Sequence, residues 1–150
     1  MRSAEAEVLI KRIDDLFELT EDQYLYRQFP VWGTELTSNA RIFEFDWRDF
    51  NADRLDEALD SWLCISSGGF RIFSKNALKA LVHNDVLASG SSVVGNFLSC
   101  LEMSPEEWLK DFSVNELDVL IACIRYMVSS SAESGEYIRI LSELVTYSNS

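Results

Sequence analysis

Ser113-Val114-Asn115-Glu116 stands directly ahead of apolar residues at Leu117, Leu120, Ile121, Ile124, Met127 and Val128. Spacings of three and four place these side chains on one broad face of an α-helix. The serine and the glutamate three residues on form a capping box, in which each side chain answers the other's backbone N–H. Val119 and Cys123 widen the apolar face, which predicts that this helix lies at the centre of the core. A chain with such a helix has to supply other amphipathic helices to cover it.

The rest of the sequence offers them. Leu9, Ile13, Leu16 and Phe17 predict a helix over residues 4–19. Thr20-Glu21-Asp22-Gln23 is a second capping box, opening a short helix that ends before Pro30. Leu55, Leu59, Trp62 and Leu63 define a helix from residue 54. Leu78, Leu81 and Val82 define one from Ser74, and Val94, Phe97, Leu98 and Leu101 another from Ser92. Ser104-Pro105-Glu106-Glu107 is a start signal in which Ser104 reads as the cap, Pro105 suits the first helical position and Glu107 can bond back to the cap. Tyr137, Ile140, Leu141 and Leu144 mark the last helix, after Ser129-Ser130-Ser131. Gly68-Gly69 and Gly90 read as loop punctuation. One segment departs: Phe43, Phe45 and Trp47 alternate with Glu44 and Asp46 in strand periodicity, and Arg71-Ile72-Phe73 is the other short strand candidate. The expectation is a mainly α fold, residues 1–150 forming a single-domain helical bundle of about seven to eight helices with at most one small β-hairpin. At 150 residues the chain can bury roughly two-thirds of its unfolded surface, and 47% hydrophobic content suffices for a core.

Charge bounds the function. Twenty-five acids face thirteen Lys and Arg, a net charge of −12. Residues 66–101 hold one acid, Asp85, against Arg71, Lys75 and Lys79, so the flanks carry the excess. Such a chain repels nucleic acid and anionic membrane and attracts basic proteins. The longest apolar run, Val119 to Ile124, is far short of the ~20 residues a membrane span needs. Residues 1–7 are acidic and lack a signal-peptide apolar stretch, which places the expected location in the cytoplasm. Cys64, Cys100 and Cys123 sit among apolar neighbours and read as buried reduced thiols.

Asp53, Asp56, Glu57 and Asp60 share one face of their expected helix, with no Lys or Arg placed to neutralise them. They read as a solvated outer face or as a docking surface for a partner's Arg and Lys. Asp49, Asn51, Asp53 and Asp60 imitate a calcium loop, but Arg54 stands where its sharp turn requires glycine. Asp14, Asp15, Glu18, Glu21 and Asp22 form another acidic group across a helix end, where Asp14 and Glu18 oppose the helix dipole. Glu102, Glu106, Glu107 and Asp111 surround a helix start, where carboxylates serve capping. Trp32, in the Pro30-Val31-Trp32-Gly33 loop, is the best exposed aromatic anchor, whereas Trp62 and Trp108 read as core. His83, the one histidine, reads as a surface or helix-end residue. A Cys-His site would have to recruit it. The cysteines and the histidine lack the close pairs of a structural zinc site. Ser66-Ser67-Gly68-Gly69 lacks the Lys-Ser/Thr ending of a phosphate loop.

Asp46-Trp47-Arg48-Asp49, Leu55, and Leu59 to Ile65 leading into Ser66-Ser67-Gly68-Gly69-Phe70-Arg71-Ile72-Phe73 resemble a family of small uncharacterised bacterial proteins. In that family a Trp segment precedes a leucine helix and a Leu-Ser-x-x-Gly/Ala-Phe-Arg-Tyr turn. Phe112-Ser113 with Glu116 looks similar too, whereas Ser74-Lys75-Asn76-Ala77 departs from the family's Leu-Pro-Ala. The resemblance implies a bacterial origin and a mainly helical fold, and the family has no established activity to carry over.

The reading that unites size, charge and compartment is an acidic protein-binding module. In particular it is expected to be a bacterial immunity protein that neutralises a toxin by covering a basic site. It would have no cofactor, metal, catalytic residue, nucleic-acid or membrane partner. Its partner-binding residues would be Asp53, Asp56, Glu57, Asp60, Asp14, Asp15, Glu18, Glu21, Asp22 and Trp32. Two alternatives stay open: a small enzyme using carboxylates or a Cys/His pair, and a DNA mimic whose carboxylates stand in for phosphates.

Overall fold

The computed structural model describes residues 4–17, 67–84, 92–131 and 134–150. These form six α-helices: α1 (Ala4–Leu16), α2 (Ser67–Asn84), α3 (Ser92–Met103), α4 (Pro105–Trp108), α5 (Val114–Ser130) and α6 (Ser134–Ser148). The architecture is mainly helical, and no strand occurs among the described residues.

The central position expected for the 114–130 segment is observed. Its capping box is complete: Ser113 Oγ accepts from the Glu116 N–H at 3.1 Å, and Glu116 Oε1 accepts from the Ser113 N–H at 2.8 Å. Val119, Leu120, Ile121, Cys123, Ile124 and Met127 are all buried. α5 packs most extensively against α6 and also against α1 and α2. α3, the short α4 and α6 pack against one another, and α1 runs along α2. Each outer helix brings the stripe its spacing foretold: Leu9, Ile13 and Phe17; Phe97, Leu98 and Leu101; Tyr137, Ile140 and Leu144.

Three expectations need correction. α2 begins at Ser67, seven residues before the expected start, so Arg71-Ile72-Phe73 is helix rather than strand. Gly68 and Gly69 lie in its first turn rather than in a loop. The reason is packing: Phe70 is wholly buried and is held from three sides. Its ring stacks on Phe97 at 5.1 Å, lies tilted to Trp108 at 5.0 Å, and approaches Phe112 at 6.4 Å. The low helix propensity of the two glycines costs about 2 kcal/mol together, which burial of the phenylalanine, worth about 1.5–3 kcal/mol, offsets.

The third concerns Ser104. Its side chain makes no capping bond, and α4 lasts a single turn. Ser104 is the only residue between α3 and α4, and its N–H is committed backwards to the Cys100 carbonyl at 3.1 Å. That joint fixes its backbone outside the extended conformation from which a cap reaches forward. Anchoring falls instead to buried Pro105, Trp108 and Leu109. Residues 20–29, 43–47 and 54–65, where two further helices and a strand were expected, lie outside the described residues.

Phe70→Ala is expected to cost about 3–5 kcal/mol, since it empties a ring-lined site. Met103, 79% exposed at the end of α3, should tolerate alanine within about 0.5 kcal/mol. Urea unfolding of both variants measures the contrast.

Candidate functional site

Arg71, Lys75 and Lys79 are spaced by four, so they line one stripe of α2. The sequence marks them as the local basic excess, and the structure shows where that charge goes. The Arg71 Nε donates to Glu116 Oε1 at 3.0 Å, and a second guanidinium nitrogen bonds Glu116 Oε2, a bidentate pair with geometry suited to arginine. Lys75 Nζ donates to the Phe17 carbonyl at 2.9 Å, just past the end of α1. Lys79 Nζ reaches Asp14 Oδ1 at 2.8 Å, three residues back along α1. The row therefore clips the start of α5 and the end of α1 to one helix.

Each bond answers a specific local need. Glu116 is only 2% exposed, and a carboxylate so placed is costly unless paired and hydrogen-bonded. Its Oε1 accepts from both Ser113 N and Arg71 Nε, while Oε2 takes the second arginine bond. The carbonyls at the end of α1 have no intrahelical partner, and the dipole there is negative. Lys75, 6% exposed, meets both conditions with one ammonium. Lys79 offsets the unfavourable position of Asp14 near that helix end.

Ser74 and Asn76 are buried on the same helix. The Ser74 hydroxyl bonds back to the Phe70 carbonyl at 2.6 Å, as serine does within helices. The Asn76 Nδ2 finds no hydrogen-bond partner among the described residues.

Of the residues expected to meet a partner, Asp14 and Asp15 are described. Both are exposed, and both are engaged within the chain: Asp14 with Lys79, and Asp15 with Lys11 at 3.1 Å along the same helix. The second pair is open to water at both ends and worth little. Asp53, Asp56, Glu57, Asp60, Glu18, Glu21, Asp22 and Trp32 lie outside the described residues. Glu116 was legible only as a cap. Its pairing with Arg71 spans 45 positions in sequence, and no local pattern announces it.

Cys100 and Cys123 are free and buried. Burial, with the Glu107 charge in support, pushes the Cys100 thiol up to about 11. Burial pushes Cys123 to about 12 against the opposing pull of Arg12. The thiolate is the nucleophilic form, so both are inert near neutral pH. His83 is exposed in the last turn of α2. Among the described residues no three His, Cys, Asp or Glu side chains converge as metal ligands. None of the helices searched, all within the described residues, is long and apolar enough to cross a membrane. No family model matches the chain, and neither a similar curated protein nor a similar solved structure was found.

Two measurements follow from these bonds. Glu116→Gln keeps a capping-box acceptor but removes the ion pair, and should cost about 2 kcal/mol, below the range for fully buried pairs because Arg71 is partly wet. Glu116→Ala removes both and should cost about 1 kcal/mol more; urea midpoints for the two variants should separate in that order. In a Cys64→Ser background at pH 8, Ellman's reagent should find no fast thiol in native protein and two after unfolding. A thiol titrating near 11 is only about one part in a thousand thiolate there. Stoichiometric labelling of the folded form would contradict the burial of Cys100.

Proposed function

We propose that this chain is an acidic protein-binding module that covers a basic site on its partner. Within that class the reading is a cytoplasmic bacterial immunity protein that neutralises a toxin. The observation that carries it is the fate of the bases. Twelve acids and eight bases fall among the described residues. Arg71, Lys75 and Lys79 are drawn into helix packing, taking Glu116 and Asp14 with them. The remaining described surface holds ten carboxylates against five bases. The sequence outside the described residues holds a further thirteen acids and five bases.

The proposed contacts are Asp53, Asp56, Glu57, Asp60, Glu18, Glu21, Asp22 and Trp32, with Asp14 and Asp15. A partner's arginine could displace Lys11 from Asp15 at small cost, because both ends of that pair are exposed to competing water. Displacing Lys79 from Asp14 would also loosen α1 from α2, so Asp15 is the better contact of the two. Bacterial origin rests on the resemblance over residues 46–73 and 112–116. The full count of seven to eight helices rests on the sequence patterns at 20–29 and 54–65.

Electrostatic complementarity acts chiefly through the association rate. Against a basic toxin encoded beside this chain, the Asp53→Asn, Asp56→Asn, Glu57→Gln, Asp60→Asn variant should associate about tenfold more slowly at low salt. The gap should close at high salt, where the Debye length falls to about 3 Å. Binding unaffected by both salt and neutralisation would sink the proposal. Competition by duplex DNA for the same partner would favour the DNA-mimic alternative. Turnover lost on replacing His83 or Cys64 would favour an enzyme.

A further inference from the structure

No further inference is drawn: the strongest candidate, the exposed Met103 beside Glu106 and Glu107 at the corner between α3 and α4, is an acidic cluster with one apolar tip, and nothing in the structure shows what covers it.

Discussion

The carboxylate of Glu116 sits where three requirements meet. It closes the capping box that starts α5, it neutralises Arg71, and it lies within four residues of Phe112, which joins the aromatic cluster. A carboxylate with 2% exposure is tolerable only because every one of these bonds is made at once. Arg71 follows Phe70 directly, so the ring that fills the space among α2, α3 and α4 also fixes the height at which the guanidinium meets α5. Apolar packing and ion pairing thus set the same register. One turn further along α2, Lys75 ties down the end of α1, whose Phe17 ring meets Phe112 edge-on at 5.6 Å. The polar clip and the aromatic cluster are two sides of one junction.

This arrangement has an electrostatic consequence. A helix of 18 residues with three bases and no acid looks, in isolation, like a positive surface. Once folded, its charges face inward or along the seam with α1, and they compensate a buried glutamate, helix carbonyls and Asp14. Among the described residues, the charge left outside these pairings is ten carboxylates against five bases. Self-repulsion of that kind weakens the compact state and favours association with basic proteins. Both effects underlie the proposal of a basic protein partner.

Local signals made much of the fold legible. The box at Ser113 and Glu116, the broad face of α5 and the stripes of α1, α3 and α6 depend on residues a few positions apart. The box is complete and most of those faces are buried, with Leu16, Leu117, Val128 and Leu141 only partly so and α1 ending at Leu16 rather than 19. Errors arose where a distant contact outweighed local preference. Gly68-Gly69 reads as a break, yet Phe70 and Arg71 hold that turn helical through partners on α3 and α5. Ser104 reads as a cap, yet a one-residue joint leaves it no room to act as one. The cationic row was visible as a charge imbalance, but its role was not, because Arg71 finds Glu116 only through the tertiary fold. The shared face of Asp53, Asp56, Glu57 and Asp60 is a reading of helical spacing, and these residues lie outside the described ones.

The central claim is that Arg71 and Glu116 act as one unit joining α2 to the start of α5. A double-mutant cycle combining Arg71→Met with Glu116→Leu, read by urea unfolding, addresses it directly. The account predicts a coupling of about 2–3 kcal/mol, with the double variant more stable than the Arg71→Met single variant because no unpaired buried carboxylate remains. Losses that simply add to within about 0.5 kcal/mol would show that the two side chains contribute independently, and would contradict it.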